Sequence, residues 1–108
     1  MQHKDLASGR WKILPFCEQM VNVGSEVERT IRWKEKGNPD YSNRAFIRAH
    51  ELLDMTIADE KNCRRLKETV RVREALADHF YFNNEYQSTD ASWSNYFYCF
   101  NCAARVKR

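Results

Sequence analysis

A chain of 108 residues, 43% of them apolar or aromatic, is long enough for one compact domain spanning residues 1–108 and too short for two. Three Gly and two Pro leave no long flexible linker or low-complexity tail, and no apolar run approaches the roughly 18 residues that a membrane span needs. Charged residues make up 31% and the formal net charge is +3, a mildly basic balance that permits a polyanionic partner without demanding one.

Residues Met1 to Trp11 carry Lys4, Asp5 and Arg10 and lack the apolar stretch of a secretion signal, so the expected location is cytoplasmic. The four cysteines, Cys17, Cys63, Cys99 and Cys102, are then expected as reduced thiols, most of them small core residues.

The first predicted helix begins near Pro15 and ends at Gly37, a residue suited to a left-handed stop. Phe16, Met20, Val23, Val27 and Ile31 draw one apolar stripe along it. Gly24 interrupts this helix, which fits the close approach of a neighbouring one. Arg29, Arg32, Lys34 and Lys36 favour the negative end of its dipole. Asn38-Pro39-Asp40 then starts a second helix, with Asn38 as cap and Pro39 in the first turn. It runs to about Ala58 along Ala45, Phe46, Ala49, Leu52, Leu53, Thr56 and Ile57. The short turn between the two predicts an antiparallel hairpin.

A polar stretch, Asp59 to Asn62, leads into a third helix that reaches about Tyr81. Its predicted buried face is Cys63, Leu66, Val70, Ala77 and Phe80, with Arg73 interrupting it. Residues 82–88 form the one substantial loop. Thr89 or Asp90 caps a fourth helix through Trp93, Phe97, Phe100 and Ala104, which fades at the basic tail Arg105 to Arg108. Strand signals are nearly absent. The expected architecture is all-α, a four-helix up-and-down antiparallel bundle, amphipathic and soluble.

Nine of the fourteen aromatics lie between Phe80 and Phe100, more than one bundle element usually needs. Two readings of this excess are open. Some of Tyr81, Tyr86, Trp93, Tyr96 and Tyr98 face a partner, most simply a second copy in a homodimer, or they wrap the end of the chain's own core.

Cys99 and Cys102 form a C-x2-C pair, but no second pair completes a four-ligand zinc site. Glu-x-x-His is absent, His50-Glu51 does not continue as a zinc-protease motif, and the glycines are isolated, so neither a metal, a cofactor nor a phosphate loop is expected. The third helix is the basic element. Lys61, Arg64, Arg65, Lys67, Arg71 and Arg73 stand against Glu60, Glu68 and Glu74. Such a helix either tracks a phosphate backbone or is a solvated face laced with ion pairs.

Near its end Arg73-Glu-Ala-Leu-Ala-Asp-His79-Phe-Tyr81 places an Arg six positions before a His. On a regular helix those positions lie about 240° apart, so the two side chains converge only at a helix end or kink, or across two subunits. Where they converge, an imidazole can take the proton of a ribose 2′-hydroxyl and a guanidinium can hold the scissile phosphate. Arg44 and His50 repeat the spacing in mid-helix, where no function is assigned. A histidine at the end of a helix, held by the dipole, is the plain alternative for His79.

This stretch, with its bundle layout, resembles the HEPN family of small helical bundles, which carry an Arg, four to six residues and a His near the junction of their last two principal helices. The resemblance implies a metal-independent ribonuclease acting as a dimer. It implies equally an inactive partner of a nucleotidyltransferase, as in toxin–antitoxin pairs. Arg73 and His79 would be catalytic, with Arg64, Arg65, Arg71, Tyr81 and Tyr86 in RNA or partner binding. The chain departs from the family at Glu74, where active members carry Asn, Asp or His beside the Arg, so both roles stay open. The reading without the resemblance is a non-enzymatic, dimeric helical module that binds a partner protein.

Overall fold

The structure, a computed structural model, describes residues 9–106, with side chains up to residue 104. His3, Lys4, Asp5 and the side chains of the tail from Arg105 onward lie outside the described residues. Every regular element among the described residues is helical: α1 (Phe16–Glu35), α2 (Pro39–Ala58), a 3₁₀ segment (Glu60–Arg65), α3 (Leu66–Tyr81) and α4 (Asp90–Val106). No described helix is long and apolar enough to cross a membrane.

Residues 9–13 are also helical, ahead of the predicted start. Pro15, with φ −60° and ψ 157°, separates this turn from α1 because it is extended and has no N–H to give. The extra turn delivers Trp11 to the core, where its indole N–H donates to Thr56 Oγ1 at 3.0 Å. Gln19, fully buried, ties the same end together. Its amide N–H groups donate to the Trp11 carbonyl and to Asp59, both at 2.9 Å, and its oxygen accepts from Asn62 at 2.7 Å. Asn62 also donates to the Thr56 carbonyl, and Lys61 pairs with Asp59. Buried polar groups partnered this completely avoid the desolvation penalty of an unmet donor or acceptor.

Of the predicted stripe, α1 buries Met20, Val23, Val27 and Ile31, while Phe16 is only partly buried. The helix ends at Gly37, whose φ of +76° only glycine adopts without strain. Asn38 accepts from Tyr41 N, Pro39 opens α2, and Ser42 Oγ donates to the Thr30 carbonyl at 2.8 Å. Against α4, a Cβ on Gly24 would stand 2.7 Å from Phe97 Cβ, so the missing side chain is what lets the two backbones meet. Leu53, Leu76, Trp93, Phe97 and Phe100 complete one continuous core with the α1 stripe. Full burial of a leucine such as Leu53 contributes about 2 kcal/mol.

The predicted face of the third helix is corrected. Cys63 and Leu66 are exposed, Val70, Ala77 and Phe80 are only partly buried, and the buried residues are Thr69, Val72, Ala75, Leu76 and Asp78. Two polar residues occupy that face for local reasons: Thr69 donates to the Arg65 carbonyl, and Asp78 holds the following loop. The helix also starts later, because the Asp59 carboxylate caps Lys61 N and winds Glu60–Arg65 into 3₁₀ turns. The cysteines differ from expectation as well. All four are free thiols, but Cys63, Cys99 and Cys102 are exposed and only Cys17 is partly buried.

Residues 82–89 are held by hydrogen bonds. The Asp78 carboxylate accepts from Glu85 N at 2.9 Å and Tyr86 N at 3.1 Å, while its carbonyl accepts from Phe82 N and Asn84 N. Asn84 and Gln87 adopt φ of 53° and 54°, and Asn84 bridges to Ser88 through both its amide N–H and its oxygen. Thr89 and Ser92 exchange side-chain-to-backbone hydrogen bonds and so cap α4.

Candidate functional site

α3 runs unbroken from Leu66 to Tyr81, so Arg73 and His79 leave it in different directions and meet different neighbours. Arg73 Nε donates to Asp54 on α2 at 2.7 Å. His79 Nε2 donates to Asp90 Oδ1, at the start of α4, at 2.8 Å. Lys34 of α1 reaches the same carboxylate oxygen at 3.1 Å and lies 5.0 Å over the Phe80 ring. Burial pushes the Asp90 carboxyl up, but the His79 hydrogen bond and the Lys34 ammonium outweigh it, and the net result is below the usual carboxylate range. Because a carboxylate only accepts, His79 carries its proton on Nε2. The remaining nitrogen, Nδ1, is buried with no partner among the described residues.

The histidine beside Arg73 is His50. A cleft of about 430 Å³ is lined by His50, Arg73, Glu74, Phe82 and Glu85. The His50 ring stacks at 4.6 Å on Phe46, and its Nε2 is buried without a partner among the described residues. Burial holds its pKa below that of free histidine, the Arg73 guanidinium adds to that, and Asp54 opposes it. The sequence assigned His50 nothing, because its link to Arg73 depends on how α2 and α3 register.

Of the basic side chains, Arg65 pairs with Glu68 at 3.2 Å and lies over the Phe16 ring at 4.6 Å. Arg64 and Arg71 make no ion pair among the described residues. Models of known protein families, curated proteins and solved structures give no match to this chain.

The aromatic excess divides in two. Trp93, Phe97 and Phe100 are core, and Tyr96 packs against them with its hydroxyl donating to Glu68 at 3.0 Å. Tyr81, Phe82, Tyr86 and Tyr98 stay in solvent at 49%, 73%, 57% and 62% exposure. Tyr81 leans on Phe46 at 4.5 Å. Tyr86 borders a second cleft, of about 420 Å³, between α3 and α4. A third, of about 620 Å³, lies between Lys34, Pro39, Phe80 and Tyr81. No group of three His, Cys, Asp or Glu side chains converges on a metal position among the described residues.

Proposed function

We propose that this chain is a non-enzymatic binding module, an up-and-down four-helix bundle in one domain that pairs with a second copy of itself through the end formed by Tyr81, Phe82 and Tyr86. The bundle reading is supported by contacts between successive helices: Thr30 with Ser42 and His79 with Asp90 join the later part of one helix to the start of the next, and Asp54 near the end of α2 meets Arg73 in the middle of α3. A fourth contact, Phe16 with Phe100, closes α1 on α4.

The observation that carries the functional reading is Phe82, 73% exposed on a loop that Asp78 and Asn84 hold in place. A large apolar ring fixed in water has no folding role there, and aromatic side chains are enriched where proteins meet. In a concentration series by sedimentation equilibrium, the native chain forms dimers and Phe82→Ser shifts it to monomer. A native chain that stays monomeric at high concentration, or a Phe82→Ser dimer of unchanged strength, contradicts the reading.

The second reading is an HEPN-like ribonuclease or toxin–antitoxin component, with RNA or a nucleotidyltransferase as partner. The Asp90–His79 pair favours it, since a carboxylate that orients an imidazole is a common catalytic arrangement. Against it, Asp54 already neutralises Arg73, Glu74 and Glu85 flank the same cleft, and the free nitrogen of His79 is buried. Under the first reading the purified protein leaves RNA intact without added metal. Cutting that His79→Ala abolishes would establish the second.

A further inference from the structure

We propose that the cleft between α3 and α4 is a binding site for a small carboxylate carried on a flat apolar body. This goes beyond the self-association reading and does not rest on it, although Tyr86 borders both surfaces. At about 420 Å³ the cleft falls within the range of small-ligand sites. Val72, Ala75 and Trp93 form a buried apolar wall, and Tyr86 and Tyr96 add aromatic rings.

The cleft is held open at both ends. His79 bonds Asp90 at one end and Tyr96 bonds Glu68 at the other, so α3 and α4 are spaced by hydrogen bonds. This differs from the contact of α1 with α4, where Gly24 lets the backbones close up. A cavity spaced in this way is formed before a ligand arrives, which lowers the cost of binding.

Two polar groups on this cleft have no use in the fold. Trp93 is 7% exposed, and its indole N–H is buried with no acceptor among the described residues. Buried indole N–H groups ordinarily have a partner, so a ligand oxygen that reached this one, past the side chains that now cover it, would satisfy a donor the fold leaves unmet. Arg71, on the cleft border, makes no ion pair or hydrogen bond among the described residues. The one acid on the border, Glu68, is already met by Arg65 at 3.2 Å and by the Tyr96 hydroxyl. Glu74, one turn on from Arg71, lines the other cleft with His50 and Arg73. The site therefore offers an unanswered cation and an unanswered N–H beside rings. A guanidinium takes a carboxylate in a paired, planar contact, and the rings accept a flat body. The Tyr96 phenol stays neutral at physiological pH, since burial and then the Glu68 charge both hold its proton on, so it adds no charge to repel an anion.

The test uses indole-3-acetate as probe, its neutral counterpart indole-3-acetamide, and the folded native chain observed by ¹H–¹⁵N NMR. The three indole N–H signals of Trp11, Trp33 and Trp93 are assigned with Trp93→Phe. Indole-3-acetate is expected to move the Trp93 indole signal saturably with a Kd of about 1 mM or below. The acetamide should bind roughly tenfold more weakly. Arg71→Gln should weaken the acetate roughly tenfold and leave the acetamide unchanged, its spectrum showing that it folds. Arg64→Gln, an exposed arginine on the preceding 3₁₀ segment, should bind the acetate like the native chain. The proposal is overturned by a Trp93 signal that does not move, by equal affinity for acid and amide, or by equal losses in Arg64→Gln and Arg71→Gln.

Discussion

Gly24→Ala tests how closely α1 and α4 meet. The new Cβ would stand 2.7 Å from Phe97 Cβ and 2.9 Å from Phe97 Cγ. Carbon atoms in ordinary contact lie about 3.5–4.0 Å apart, so the helices must part by roughly 1 Å or their backbones must bend. Overpacking costs about 1–3 kcal/mol, and the upper end applies because neither Cβ can rotate away. Alanine recovers about 1 kcal/mol of helix propensity over glycine, which leaves a net loss of about 2 kcal/mol. For a chain of this size that lowers Tm by about 10 °C, measured by circular dichroism at 222 nm and checked by urea unfolding. Ser25→Ala is the control. It sits one residue on, is exposed, and bonds only to the Val21 carbonyl in its own helix, so its change should stay within about 0.5 kcal/mol. A Gly24→Ala protein as stable as the native chain, or more stable, would refute the close approach.

Gln19→Ala strips partners from Asp59, Asn62 and the Trp11 carbonyl at once, and urea unfolding should show a loss of about 3 kcal/mol. The Asp59 carboxyl is lowered like that of Asp90: burial pushes it up, but hydrogen bonds from Lys61 and Gln19 outweigh this. A carboxyl lowered in the fold adds stability above its unfolded pKa and loses it as pH falls through the folded value, so stability should drop below about pH 4. Asp90→Asn should flatten part of that acid limb, read from urea midpoints at about pH 6 and about pH 3; an unchanged limb would argue against the His79–Asp90–Lys34 cluster. Asp78→Ala removes the acceptor of Glu85 N and Tyr86 N, and hydrogen exchange at those two amides should accelerate while α1 stays protected.

The α1 and α2 stripes were legible in the sequence because apolar residues recur along them, Met20, Val23, Val27 and Ile31 in one and Phe46, Ala49 and Leu53 in the other, although Gln19, Glu26 and Thr30 are buried beside the first. Caps were legible for the same local reason, since Asn38, Pro39 and Thr89 act within three residues of their targets. The α3 face was not, because Thr69 and Asp78 occupy it with polar side chains whose partners are a backbone carbonyl and a loop. Trp11 was missed because its burial is set by Thr56, 45 residues away. The site shows the same limit. The motif joined Arg73 to His79 along one helix, whereas the helix turns them apart and brings Arg73 beside His50 from α2. Spacing within a helix can be counted, but register between two helices is set by packing.

The most direct measurement of self-association is an isotope-filtered NOE experiment on a mixture of labelled and unlabelled chains. The proposed dimer predicts contacts between chains at the rings of Phe82 and Tyr86, and none at Arg64 or Lys67. Absence of any contact between chains at millimolar concentration, or contacts confined to that basic face, would contradict it.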